Sequence, residues 1–342
     1  MSKQVISGGI KGLQRFLQSD RRFAATPILI IAGQLEKGHG VVDVPAHVHF
    51  LLAQQLGFRT IFSDSLGKSA FPTVETVAQQ QELAARVGAS TICAVGSDAA
   101  VHLGRAVVAD DSHAFDDLIL VPASFSGVIA SSMNRGLLID SKEETLVPSA
   151  AANVPDIIVT PSSSDTQGNV SETTFALLAF LLSRQIQGTA WNEDIKQLLE
   201  RFVVETNQSQ SQQATETLLS ALVLMGQGVH WGLGSSLERR DIPLAITSAL
   251  LPQVFPDSSA LGIAASLVPT LVDLLEAKSP GDELGTIYRQ LVDCLGEPIN
   301  TVSNQSADTL LGIVRENQTA WKSLDAPADL LHQCLRAYSL VD

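Results

Sequence analysis

The sequence predicts an α/β N-terminal domain on a doubly wound parallel sheet, followed by an all-α C-terminal domain. Three observations predict it. Short apolar runs alternate with amphipathic helical stretches as far as residue 160. From residue 170 onward the helical period dominates. Residues 161–169 (PSSSDTQGN), between the two regimes, are dense in turn formers. The 342 residues therefore divide into an expected Rossmann-like domain, 1–165, and a helical domain, 166–342.

Residues 4–18 read as a short strand, a Gly8-Gly9 turn and a helix whose inner face is Ile10, Leu13, Phe16 and Leu17. Residues 27–33 (PILIIAG) are a continuous apolar run ending in glycine, as expected of a strand buried on both faces. Pro45 opens a helix where its missing N–H costs nothing, with Val48, Leu51, Leu52 and Leu56 facing inward. Gly57 ends that helix, and residues 59–63 (RTIFS) form the next strand. Apolar positions Val74, Val77, Leu83, Ala84 and Val87 give a helix stopped by Gly88. Residues 90–95 (STICAV) are a strand, and the turn Gly96-Ser97-Asp98 opens a helix carrying Val101, Leu103, Ala106 and Val107. Further strands are expected at 118–122 and 136–140.

The stretch 71–108 resembles the metal-dependent (iron-containing) alcohol dehydrogenases and their relatives with the dehydroquinate-synthase-like fold. Pro72-Thr73-Val74-Glu75 and Ala94-Val95-Gly96 carry the resemblance. Ser97, Asp98 and Ala99 stand where that family has two further glycines and a serine, and His102 where it has an aspartate. A strand, small-residue turn and helix is where a parallel sheet presents backbone N–H groups to a phosphate. The resemblance implies a loop over 123–133, a last strand of the domain at 153–160, and a nicotinamide cofactor at this turn and that loop. Gly96, Ser97, Asp98, Ser124, Ser126 and Gly127 are the candidate contacts, and NAD(P) is the one cofactor left open. Asp98 argues the other way, since it puts a carboxylate where the diphosphate would lie. It is also a good N-cap, so a self-capped helix replacing a bound phosphate is preferred, with no cofactor expected.

In the second half, helices are expected at 171–187, 192–206, 213–230, 243–252, 258–276, 282–296, 306–317 and 325–339, with 206–213 (TNQSQSQQ) as a polar loop. The resemblance implies a metal held by an aspartate, a histidine four residues on, and two later histidines. Those positions fall on Ser171, Phe175, His230 and Leu244. A phenyl ring and an isobutyl group cannot ligate an ion, so a degenerate site without metal is expected. His39, Asp43, His47 and His49 make the only histidine cluster and read as solvated or capping side chains. His102 is expected on a helix face beside the turn.

Composition narrows the function. The formal charge is −14, from 22 basic and 36 acidic residues, which disfavours nucleic acid as a partner. Three scattered cysteines, the absence of an apolar leader and the absence of a long apolar run point to a cytoplasmic protein off the membrane. The resemblance, with its metal and cofactor positions replaced, implies three functions. The first is a non-catalytic scaffold or binding partner in a biosynthetic pathway, such as ribosomal-peptide tailoring, holding a protein or peptide. The second is an NAD(P)-dependent oxidoreductase of the alcohol dehydrogenase type that works without the usual metal, with His102 or His230 in its place. The third is a small-metabolite sensor. A homo-oligomer is compatible with all three.

Overall fold

A computed structural model of the chain describes residues 3–33, 43–63, 66, 71–109, 114–140, 145–151, 154, 156–162, 168–186, 193–228, 260–266 and 268–298. The chain divides into two compact units, Met1–Gln167 and Gly168–Asp342.

Strands of the first unit are apolar runs buried at every residue in the middle of the sheet and partly exposed at its two edges. They are β1 (Lys3–Ile6), β2 (Ile28–Gly33), β3 (Thr60–Ser63), β4 (Thr91–Gly96) and β5 (Asp117–Pro122). After β5, the chain adds β6 (Leu137–Asp140), β7 (Thr145–Pro148) and β8 (Asp156–Val159). Six of them form one sheet in the order β1-β8-β5-β4-β2-β3, and every pairing in it is parallel. The helices between strands are α1 (Gly9–Ser19), α2 (Val44–Phe50), α3 (Val74–Val87), α4 (Asp98–Val107) and α5 (Phe125–Ser132).

Alternate side chains along the strands feed two cores, as the two-residue period requires. Leu29, Ile31, Ile92, Ala94, Leu118 and Leu120 join the α3–α4 layer on one face. Ile28, Ile30, Cys93, Val95, Ile119 and Val121 join Leu13 and Leu17 of α1 and Val48 of α2 on the other. Gly88 closes α3 in the left-handed conformation (φ 66°), accepting the helix end as only glycine does freely. The Leu51–Gln55 continuation of α2 is one π turn rather than a further α turn.

Two sequence expectations change. Residues 123–133 are not a loop: they hold α5, whose first turn is capped by Ser124. The strand expected at 136–140 leaves the main sheet and pairs antiparallel with β7, a strand the sequence pattern did not mark.

The second unit is helical: α6 (Val170–Ile186), α7 (Glu193–Asn207), α8 (Ser211–Gly228), α9 (Ala260–Ser266), α10 (Val268–Lys278) and α11 (Glu283–Leu295). The expected single helix over 258–276 is thus described as α9 and α10. The expected loop over 206–213 shrinks to Gln208–Gln210, with Ser209 in the left-handed region (φ 59°). Helices expected at 243–252, 306–317 and 325–339 lie outside the described residues, as do His39, His230 and Leu244.

Candidate functional site

The strand order reverses direction between β2 and β4, so the crevice at their carboxyl ends is where an open parallel sheet offers a ligand site. Register places Gly33 beside Gly96, and Gly96 beside Pro122. The crest is packed by the chain itself. A Cβ at Gly33 would overlap the Ser97 hydroxyl, and one at Gly96 would overlap the Gly33 carbonyl. Gly96 takes φ 102°, which a side chain would strain.

The helix after the crest starts differently from the expectation. Asp98 is not the N-cap of α4. Ser97 holds that position in extended backbone, with no capping bond from its side chain. Asp98 is the first helical residue, and its carboxylate reaches sideways to α5. Ser124 Oγ donates to Asp98 Oδ1 at 2.9 Å and accepts from the Gly127 N–H at 3.0 Å. The Ser126 hydroxyl lies 3.2 Å from that of Ser124 and also bonds the carboxylate. A Cβ on Gly127 would come within 3.2 Å of Asp98 Oδ1, so this glycine makes room for the acid.

Gly96, Ser97, Asp98, Ser124, Ser126 and Gly127, singled out from the sequence, therefore come together at the amino ends of α4 and α5. Two helix termini that would favour an anion share a carboxylate of the chain. Burial pushes the Asp98 carboxyl above the usual range, against the hydrogen bonds from Ser126 and Ser124. A diphosphate set against α4 would meet this carboxylate, so the residues present do not fit that group.

His102 lies on α4, one helical turn past Asp98. Its side chain is buried, 4% exposed, and its Nδ1 accepts the Leu137 N–H at 3.3 Å. The Phe71 ring lies 5.4 Å away, centroid to centroid. Burial, aided by the Arg105 charge, holds its pKa down to about 3, so it is a neutral imidazole fastening α4 to β6.

The positions assigned to a metal behave as follows. Ser171 lies in the first turn of α6, its backbone N–H donating to Asn169 Oδ1 at 2.9 Å. Phe175 is fully buried and meets the Tyr288 ring edge-on at 6.3 Å. Neither offers a ligand set, and these residues do not fit the ion. Among the described residues no group of three or more His, Cys, Asp or Glu could hold one. Asp43 caps α2 through the Ala46 N–H at 3.0 Å, while His49 lies against Phe62 at 5.3 Å.

Nothing in the sequence pattern marked a buried charge cluster at the opposite, amino ends of the strands. Arg105, 1% exposed, pairs with Asp156 at 2.9 Å and donates to the Ala130 and Ser131 carbonyls. Lys3 donates to the Ser132 and Met133 carbonyls and to Asn134 Oδ1. Burial and the nearby Arg105 charge lower its pKa to about 8. A lone arginine inside the apolar face of α4 was the available signal.

No protein-family model and no curated sequence matches the chain. Solved structures do. An iron-containing alcohol dehydrogenase matches at 12% identity and TM-score 0.63, over 100% of this chain and 98% of that one. Maleylacetate reductase from Agrobacterium tumefaciens matches at 16% identity and TM-score 0.57, over 100% and 91%. A 2-deoxy-scyllo-inosose synthase, solved with carbaglucose-6-phosphate, NAD+ and Co2+, matches at 14% identity and TM-score 0.59, over 91% and 83%. The chain has the fold shared by iron-containing alcohol dehydrogenases and dehydroquinate-synthase-like enzymes. Among the described residues no helix is long and apolar enough to cross a membrane.

Proposed function

We propose that this chain is a non-catalytic protein with the alcohol dehydrogenase-like fold, acting as a scaffold that holds a protein or peptide partner in a biosynthetic pathway. Tailoring of ribosomal peptides is the pathway type it suits. One observation carries the reading: the Asp98 carboxylate, fixed by Ser124 and Ser126, occupies the anion-favouring ends of α4 and α5. Coulomb repulsion between this carboxylate and a diphosphate a few ångströms away opposes dinucleotide binding, most strongly where water is scarce. Phe175 in the core of the helical unit supports it independently, because a phenyl ring supplies no Lewis-basic atom to an ion.

Calorimetric titration with NADH and NADPH, with zinc or ferrous ion supplied, tests the reading. The expected result is no saturable heat with either cofactor. Saturable binding together with turnover of short alcohols or aldehydes overturns it in favour of a metal-independent oxidoreductase.

A further inference from the structure

Between α5 and β6 the chain buries a guanidinium and supplies no negative partner for it. Arg135 is only 9% exposed. Among the described residues it makes one hydrogen bond, from Nη1 to the Ser149 carbonyl at 3.2 Å, and no ion pair. Its Nε and Nη2 make none, and neither is sealed from solvent. Two other buried cations are matched by carboxylates: Arg105 by Asp156, and Lys196 by Glu193 and Glu283. Taking a charge out of water without an opposite charge is costly, and Arg135 bears that cost unmatched. The fold also fixes it from both sides. Just before it, Arg105 takes the carbonyls of Ala130 and Ser131, and Lys3 those of Ser132 and Met133. Just after it, the Gly136 N–H donates to Ser149 Oγ at 3.0 Å, and the Gly136 carbonyl accepts from the Ser149 N–H at 2.8 Å. Gly136 lies so close to α4 that a Cβ there would overlap the His102 carbonyl.

We propose that Arg135 is a carboxylate-binding site, its Nε–Nη2 edge taking both oxygens of one carboxylate group from a small organic acid or a peptide. With Nη1 engaged by Ser149, the open N–H groups of Nε and Nη2 lie side by side and parallel. Two parallel N–H groups match the two oxygens of a carboxylate, a fit that an ammonium cannot give. A phosphate presents a similar pair of oxygens but carries a charge of about −2 at neutral pH. One guanidinium in a chain of formal charge −14 suits the singly charged group better. Because the backbone on either side is already anchored, little order has to be created on binding. Arg135 follows the last turn of α5, whereas the Asp98 cluster gathers at its first. The inference does not depend on the scaffold reading.

NMR of the arginine side-chain Nε–H groups in the full chain, at low salt, tests it. The titrants are sodium acetate, N-acetylglycylglycine and sodium phosphate, each against sodium chloride at matched ionic strength. The expected result is a saturable shift of the Arg135 Nε–H with acetate, half-complete in the millimolar range. Phosphate saturates it later, and chloride does not reproduce it. Arg135→Gln removes the charge and weakens acetate binding by at least about tenfold, and Arg135→Lys, which keeps the charge without the paired N–H groups, weakens it as well. Tighter binding of the peptide than of acetate assigns a peptide as the source, and the reverse order a small acid; both orders uphold the site. An Arg135 resonance that stays in place up to about 100 mM acetate overturns the proposal. So does a shift that chloride matches, one that phosphate saturates first, or acetate binding that survives Arg135→Gln. If the variants fail to fold, the parent titration decides alone, since it reads the Arg135 resonance directly.

Discussion

A carboxylate in the first turn of α4 gains from the positive end of the helix and from the Ser124 hydroxyl, and it loses from burial. Burial is the larger effect on Asp98, and its carboxyl is raised above the ordinary range. A raised acid favours the folded state below its unfolded value and loses that advantage as pH climbs through the folded value. Asp98→Asn keeps an acceptor for Ser124 without the charge. The variant is expected to be at least as stable as the parent at neutral pH, with the difference shrinking as pH falls through the carboxyl titration. Chemical denaturation at several pH values measures it. His102 works in the opposite sense. Its pKa falls from 6.5 to about 3 on folding, so the stability it contributes is present above 6.5 and is lost as pH drops toward 3. At about 1.4 kcal/mol per unit, the acid penalty is on the order of several kcal/mol. His102→Gln, which keeps an acceptor for the Leu137 N–H, is expected to flatten that acid limb. The type of residue at position 98 was legible in the sequence, and so were its neighbours at 124, 126 and 127. Their mutual bonding was not, because it joins the starts of two helices at a sequence separation of 26.

At the scale of elements, α5 is held at both ends. Ser124 ties its first turn to Asp98, while Arg105 and Lys3 take the carbonyls of its last turn, where positive charge is favoured. Arg105→Met would leave Asp156 buried without its counter-ion, and removing one partner of such a pair costs about 3–5 kcal/mol. A fall in denaturation midpoint without a change in slope is the expected signature. The elements that were legible in the sequence, β2, β4 and β5, have every residue buried, and near-continuous apolar runs announce that state. α5 was hidden by its composition. FSGVIASS is poor in strong helix formers, and the segment is helical through packing and its two caps. β7 was hidden by its length of four residues behind the charged run SKEE.

Across the whole molecule, the alkaline behaviour belongs to the amino ends of the strands, where Lys3 lies. The Lys3 value, lowered from 10.5 to about 8, means that the unfolded chain binds more protons between those limits. Its contribution to stability therefore rises with pH through that window. Titration of the Lys3 side chain by NMR is expected to give a midpoint near 8, and Lys3→Met to remove the alkaline rise. Fold class was legible at this scale because it rests on the alternation of periods. The position of β1 was not, since no local pattern says which strand it joins. That placement has a consequence in time. β1 pairs with β8, Lys3 against Asp156, so the first strand made waits for the last strand of its sheet. At about 5–20 residues per second, the ribosome leaves β1 and the inward face of α1 without that neighbour for roughly 10–30 s. A nascent chain halted before residue 156 holds the four strands β5, β4, β2 and β3 with β5 as a bare apolar border. Such a chain is expected to need a chaperone until translation resumes, and its protease sensitivity should vanish within a few residues of completing β8.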